Sequence, residues 1–214
     1  MRSRSRSVSL VIAILAAFAM AAPVAAASQW ETFKQAGTNA FAFTDTCSDN
    51  TDGTVTCTGQ SIDVFEGRIS QPGEPTFSGE QVCYSEQSFT FDPASGEPIE
   101  SRGRFGCTLD AGTVAIRKLD SVVLSPTDIE LFESVCDATE CTDGPGGSIT
   151  IHGTWTGVGP TMTQRGKFQF DDGTCMQVSA DRSTSRAATF VGSIDAHDAR
   201  IGKGSFTFKT NCPH

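Results

Sequence analysis

Apolar and polar side chains alternate through much of residues 147–212. Ile149, Ile151 and Trp155 fall on one parity, and His152 and several threonines fall on the other. Successive side chains of a strand point to opposite faces, so a period of two predicts strands with one buried face and one solvent-facing face. Similar alternation recurs upstream, with turn-forming residues every 8–12 positions or so. The pattern predicts an all-β fold of about 12 short strands, either an antiparallel β-barrel or a β-sandwich.

Short motifs occur in the same order in the two parts of the chain. The clearest match pairs Ser88-Phe89-Thr90-Phe91 with Ser205-Phe206-Thr207-Phe208, and three shorter matches precede it. These matches suggest two pseudo-repeated β halves, residues 28–142 and 148–214, within one domain. The spacings differ between the halves, so coincidence is the alternative.

Clusters of turn-forming residues predict the strand register. Asp171-Asp172-Gly173 is expected to form a three-residue hairpin loop that sets Phe168 opposite Met176. Pro126-Thr127 is expected to form a two-residue turn, and the glycine-rich residues 142–147 are expected to form a linker. Each turn keeps apolar side chains on one face. Because such turns are frequent, the strands between them are expected to be short.

Residues 1–27 have the features of a secretory signal peptide. Three arginines precede the apolar run 8–22, and small residues precede Ser28. The sequence predicts cleavage between Ala27 and Ser28 and export of residues 28–214 as a single β domain. A membrane anchor is not expected, because a run of about 15 apolar residues is shorter than the roughly 20 that a spanning helix needs. The alanine-rich leader suggests a bacterial source.

The exported part would be strongly acidic. The whole chain has a net charge of −9, and loss of the three leader arginines would leave −12. Such a charge favours solubility and repels nucleic acid and anionic lipid. The expected partner is therefore an extracellular ligand or surface, with no nucleic acid and no membrane span.

All eight cysteines follow the leader, and an even count in an exported chain predicts four disulfides. Cys47 and Cys57 flank a turn signal, and Cys136 and Cys141 bracket a turn-sized gap, so each couple is expected to pair. The other four cysteines allow three connectivities. If each half closes on itself, the pairs are Cys83–Cys107 and Cys175–Cys212. The spacings lack the tight pairs of structural zinc sites, so no metal or cofactor is expected.

The chain contains no recognisable catalytic motif, and no catalytic residue is assigned. His152 could bind a ligand beside Trp155, although a solvated strand histidine is the simpler interpretation. Asp195-Ala196-His197-Asp198 could hold a ligand or transfer protons, but a hairpin turn explains the composition better. The candidate ligand-binding residues are His152, Trp155, Asp195, His197 and Asp198.

Fifteen phenylalanines against one tyrosine and two tryptophans are expected to point inward, filling a core or lining an apolar cavity. Three couples of basic residues are spaced so that each couple shares one face of a strand. We expect these faces to be solvated and balanced by nearby acids. The couples are Arg102 and Arg104, Arg165 and Lys167, and Arg182 and Arg186.

The sequence favours a secreted, non-enzymatic binding or surface-associated module. The first alternative is a β-barrel that carries a small apolar ligand, which a cavity lined by phenylalanines would support. The second is an extracellular hydrolase or isomerase whose site has no sequence motif. A histidine within hydrogen-bond reach of a carboxylate at the bottom of a cleft would support it.

Overall fold

The structure is a computed structural model that describes residues 30–137, 140–171, 173 and 175–212. The predicted signal peptide lies outside the described residues. These residues form nine antiparallel β-strands in one sheet, with no helix, which confirms the all-β prediction. The strands are β1 (Glu31–Asp49), β2 (Val55–Ser70), β3 (Phe77–Phe91), β4 (Pro98–Leu109), β5 (Val114–Arg117), β6 (Ser121–Asp137), β7 (Cys141–Asp171), β8 (Met176–Gly192) and β9 (Asp198–Thr210).

The strands follow the order β4-β3-β2-β1-β9-β8-β7-β6-β5, and β4 also pairs with β6. Every strand except β5 therefore has a hydrogen-bonded neighbour on both sides. The first and last strands, β1 and β9, are paired over 13 residues. The two-sided pairing does not extend along whole strands, because residues 161–171 of β7 pair with β8 alone and residues 44–49 of β1 pair with β2 alone.

One face of the sheet carries the hydrophobic core, and we call it the core face. Its side chains alternate along each strand with those of the opposite, outer face. Burying one such side chain stabilises a protein by about 1.5–3 kcal/mol, so this face dominates the packing. The largest fully buried side chains are Ile62, Val64, Val82, Tyr84, Val122, Ile129, Ile151, Trp155 and Ile201.

The phenylalanines do not fill this core. Among the described residues, Phe65 is the one phenylalanine that is buried, while Phe168 is 63% exposed and Phe89, Phe132 and Phe170 are also exposed. Phe65 lies over the cross-strand pair of glycines Gly37 and Gly67 instead of joining the core cluster. The prediction that the phenylalanines point inward is wrong, because most of them occupy outer-face positions of their strands.

The predicted count of about 12 short strands is also wrong, since two expected breaks lie inside strands. Pro126 lies within β6, where the register with β7 shifts between Leu124 and Thr127. A bulge accommodates a proline because the missing N–H falls where the ladder is already interrupted. The expected linker at residues 142–147 forms the start of β7 and pairs with β6. Fewer, longer strands result.

The predicted three-residue loop between β7 and β8 is wrong as well. Asp171 pairs with Met176, which leaves four residues between the strands, and Phe168 pairs with Ser179. This register puts Phe168 and Met176 on opposite faces. The rule that apolar residues share a buried face does not apply here, because residues 158–171 are exposed on both faces.

Beyond the core, five strands continue as a section that we call the extension. It consists of residues 31–38, 66–70, 161–171, 176–186 and 203–210. Where it meets the core, Gly67, Gly37 and Gly204 lie side by side on three neighbouring strands. A Cβ at Gly37 or Gly67 would collide with the backbone of the adjacent strand. Glycines in such positions are typical of a sheet that bends.

The prediction of four disulfides is confirmed, and the bonds join the cysteines that were expected to pair. Three of them link residues directly opposite each other on neighbouring strands, with Cα atoms about 4 Å apart. The fourth links the residue directly before β8 to the segment after β9. The pairs are Cys47–Cys57, Cys83–Cys107, Cys136–Cys141 and Cys175–Cys212.

Candidate functional site

An open cleft lies on the core face where β3 and β4 leave the apolar core. It has a volume of about 440 Å³, and an adjoining cavity of similar size extends across β1 and β2. We call the two together the polar cleft. The first part is lined by Glu86, Ser88, Thr90, Glu100, Arg102 and Arg104, and the second adds Thr44, Thr46, Thr58, Gly59, Gln60, Gln87 and Asp195.

Two arginines of β4 are ion-paired with glutamates of the neighbouring strands β3 and β6. Arg104 is opposite Glu86 on one side and opposite Glu133 on the other. Its Nη2 and Nε atoms lie 2.7 and 2.9 Å from Glu86 Oε1. The Nη2 and Nε atoms of Arg102 both lie 2.7 Å from Glu133 Oε1. Each guanidinium group is thus held along one edge.

Among the described residues, the other N–H groups of these arginines have no further partner. A guanidinium group has five N–H donors, and each glutamate here occupies two of the nitrogens. The side chains of Arg102 and Arg104 are 61% and 32% exposed, whereas those of Glu133 and Glu86 are more buried, at 24% and 30%. The arginines therefore offer fixed donors to a molecule in the cleft.

A hydrogen-bonded chain behind the arginines holds Glu86 in position. The Tyr84 hydroxyl donates to Glu86 Oε2 at 2.8 Å, and Gln60 Nε2 donates to the Tyr84 oxygen at 3.1 Å. Burial, assisted by Glu86, raises the pKa of Tyr84, so the phenol keeps its proton. The hydrogen bond to Glu86 raises the pKa of Arg104, so the guanidinium keeps its charge. Tyr84 and Arg104 therefore both remain protonated over the ordinary pH range.

The structure does not bring the predicted residues His152 and Trp155 together. His152 is exposed on the outer face of β7, with its Nδ1 atom 3.1 Å from Ser193 Oγ. Trp155 is fully buried on the core face, with its ring 4.7 Å from that of Phe190. Its indole nitrogen has no hydrogen-bond partner among the described residues. A ligand at His152 could not contact Trp155.

The predicted cluster at residues 195–198 spans the end of the β8–β9 loop and the start of β9, and only one member reaches the cleft. Asp195 lines the second cavity. His197 Nε2 lies 2.8 Å from Asp45 Oδ1, and these side chains are 49% and 68% exposed. Asp198 lies 3.8 Å from Arg200 Nε. The histidine–carboxylate contact is thus at the surface and not at the bottom of a cleft.

The cleft arginines were not predicted as site residues from the sequence. Their spacing correctly indicated that Arg102 and Arg104 share a face, and it also suggested that nearby acids balance them. The identity of those acids depends on the β4–β6 pairing, which joins residues about 30 positions apart in the chain. No local signal in the sequence indicates that pairing.

In the described part of the chain, no group of three or more His, Cys, Asp or Glu side chains is placed to hold a metal ion. The same part contains no helix of the length and apolarity needed to cross a membrane. Comparisons with protein-family models, with curated proteins and with solved structures find no match to this chain.

Proposed function

We propose that the protein is a secreted, non-enzymatic binding module whose polar cleft holds a small hydrophilic ligand with an anionic group. The observation that carries this proposal is the pair of edge-held arginines, Arg102 and Arg104, with N–H donors directed away from their glutamates. Arginine binds carboxylate and phosphate groups through parallel N–H bonds. Because the glutamates already order both side chains, binding costs little additional conformational entropy.

The lining of the cleft defines the ligand further. Arg102 and Arg104 are two residues apart on one strand, so their Cα atoms are separated by about 6–7 Å. A ligand with two acidic groups can therefore contact both side chains. Ser88 and Thr90 supply hydroxyl groups, and Glu100 supplies an acceptor for a ligand hydroxyl or ammonium group. Among the described residues, the lining has no aromatic side chain on which a sugar ring could stack.

The fold supports an extracellular role for such a site. Four disulfides are compatible with an oxidising compartment, in line with the predicted leader. We also infer that the sheet is a barrel and not a sandwich, since every strand except β5 has two neighbours. The cleft then lies at the end of the barrel interior, a common position for ligand sites.

The two alternatives have less support. An apolar carrier needs a cavity lined by apolar side chains, but both parts of the cleft are lined by polar and charged residues. A hydrolase or isomerase could use His197 with Asp45, but that pair is largely exposed to water. Proton transfer in catalysis is favoured in a site that also binds and orients a substrate.

Titration calorimetry with citrate tests the proposal, using the purified protein with its disulfides intact at constant ionic strength. We expect saturable binding of one citrate per chain. R102Q should weaken it at least tenfold, because the mutation removes charged donors from the cleft. R200Q is the matched control, since Arg200 is an exposed, ion-paired arginine outside the cleft, and it should bind as the parent does. Equal affinities in all three proteins, or no saturable binding of citrate or inorganic phosphate, would contradict the proposal.

A further inference from the structure

Eight of the 13 lysines and arginines that follow residue 27 lie on one face of the extension. Arg186 lies at its border with the core, and the part of the face that carries the other seven is what we call the basic face. This face continues the core face beyond the row of glycines. All seven side chains are exposed. They are Lys34, Arg68, Arg165, Lys167, Arg182, Lys203 and Lys209.

The strand register places these residues in rows across the sheet. Arg165 pairs with Arg182, Arg182 with Ser205, Ser205 with Ala36, and Ala36 with Arg68. Directly opposite residues of paired strands point to the same face, so one row carries three guanidinium groups. Lys34, Lys167 and Lys203 lie in the two adjacent rows, and Lys209 lies one row further out. The face covers roughly 20 Å in each direction, from strand spacings of about 4.8 Å and a rise of about 3.3 Å per residue.

The basic face lacks the ion pairs found elsewhere in the molecule. Among the described residues, none of its seven cations is in a salt bridge, whereas four other arginines are each paired with an acid. Those four are Arg102, Arg104, Arg186 and Arg200. Acids on the basic face, Glu66 and Asp171, lie at its borders.

This separation of charge is costly in a chain with 25 acidic residues. Arg165 and Arg182 are directly opposite each other, and like charges in that position destabilise a sheet. An acidic residue in place of either Arg165 or Arg182 would remove the repulsion. The arrangement is therefore better explained by an anionic partner that neutralises the face than by solvation alone.

The remaining side chains of the face indicate the class of partner. The positions between the cations are mostly hydroxyl-bearing or small, and no aromatic residue is among them. Single-stranded nucleic acid is held largely by stacking on aromatic side chains, and membrane-surface binding requires apolar side chains that insert. Double-stranded DNA has a much denser charge, which the acidic body of the protein would repel. Positively charged side chains with hydroxyl groups between them are complementary to a hydroxyl-rich polymer that carries carboxylate groups at intervals. The hydroxyl-bearing positions include Thr32, Thr38, Thr163, Thr184, Ser205 and Thr207.

We propose that the basic face binds an anionic polysaccharide with carboxylate groups along the chain. Many weak contacts across the face together give a higher overall affinity for the polymer than any one contact does. This affinity should decrease steeply as the salt concentration rises. The face would hold the protein at a carboxylated extracellular surface while the polar cleft remains open. This proposal uses residues different from those of the cleft, so either proposal can fail without the other.

Retention on immobilised polygalacturonate, with uncharged dextran as the control matrix, tests this inference. We compare K34Q/R182Q/K203Q with R117Q/K118N/R200Q, which removes the same number of positive charges away from the basic face. We expect the first variant to bind at least tenfold more weakly than the parent and the second to bind within about twofold. Citrate binding by the first variant should be unchanged, which separates this surface from the cleft.

Three outcomes would overturn the inference. Equal losses in the two triple variants would show that net charge alone controls retention. Equal retention on dextran, or none on polygalacturonate at low salt, would exclude carboxylate recognition. Tighter binding to double-stranded DNA or to phosphatidylglycerol vesicles than to polygalacturonate would assign the face to a different partner. Circular dichroism of both variants checks that they are folded, and their exposed positions make this the expected result.

Discussion

The polar cleft and the basic face both present basic side chains from alternate positions of β-strands, but they differ in what lies opposite. In the cleft, Arg104 is opposite Glu86 and Arg102 is held by Glu133. On the basic face, Arg182 is opposite Arg165. The cleft therefore holds its guanidinium groups in fixed geometry, suited to one small ligand. The basic face leaves its charges exposed and without ion-pair partners among the described residues, suited to a polymer that can contact many of them.

The disulfides are distributed unequally between the same two regions. Cys47–Cys57 and Cys136–Cys141 link strand ends on the side of the cleft, and Cys83–Cys107 links β3 to β4. Within the described residues, Cys175–Cys212 is the one disulfide at the far end of the extension. The cleft is thus better fixed by covalent bonds than the extension, where few side chains are buried.

The largest expected effect follows from removing the Cys175–Cys212 bond in C175S/C212S. Loss of a disulfide typically lowers the free energy of unfolding by about 2–4 kcal/mol. Because this bond fixes the end of the extension, amide hydrogen exchange should accelerate most in residues 176–186 and 203–210. Urea unfolding gives the stability, and exchange by mass spectrometry locates the change. Equal acceleration in β3 and β4 would contradict the independence of the two regions.

A smaller loss is expected for E86Q, which removes the charge that holds Arg104 and accepts from Tyr84. Arg104 and Tyr84 would then be incompletely paired, which should destabilise the protein by about 1–3 kcal/mol and weaken citrate binding. E66Q is the matched control at the border of the basic face, where a surface change should stay within about 0.5 kcal/mol. Thermal unfolding of both variants measures the difference. Similar losses would show that Glu86 has no special structural role.

Asp63, which lies outside both regions, is expected to make the free energy of unfolding depend on pH. Burial raises the pKa of this carboxyl from 3.8 to about 6, so the folded state binds a proton more tightly than the unfolded state. The free energy of unfolding should therefore be highest below about pH 4, fall as the pH rises towards 6, and stay low above that. D63N should remove this slope and be more stable at pH 7 by about 1–2 kcal/mol, since part of the side chain remains exposed. Urea unfolding from pH 4 to 8 measures it, and parallel profiles for parent and variant would contradict the assignment.

The smallest effect is a gain. R182T removes the like-charge contact with Arg165 and should stabilise the protein by about 0.2–1 kcal/mol at low salt. The gain should disappear in 1 M salt, where charges are screened within about 3 Å. R104T is the contrasting substitution in the cleft and should destabilise, because it leaves Glu86 without its ion pair. Destabilisation by R182T at low salt would mean that repulsion between Arg165 and Arg182 does not destabilise the basic face.

Local features of the sequence predicted local features of the fold. Alternation in residues 147–156 predicted a strand with Ile151 and Trp155 buried, and the structure has both at 0% exposure. The turn signal between Cys47 and Cys57 predicted a hairpin, and these residues are directly opposite each other. In both cases, the information lies within a few residues of the feature.

The register of the extension and the composition of the cleft could not be predicted in this way. The β7–β8 register was predicted from a buried face, but Phe168 and its neighbours are exposed on both sides, so burial does not determine their pairing. The cleft depends on β6 reaching β4, which sets Arg104 opposite Glu133. That contact is the additional pairing of β4 with β6, which has no counterpart in sequence periodicity.

The pairing of β1 with β9 has a consequence for how the chain folds. β1 is made first and β9 last, so each of their 13 register pairs joins residues more than 150 positions apart. Contacts between distant residues slow folding, because a large loop must close before they form. The chain therefore cannot complete its sheet while its final 20 residues or so are missing, and deletion of β9 would leave both β1 and β8 with an unpaired edge. Such open edges are prone to aggregation.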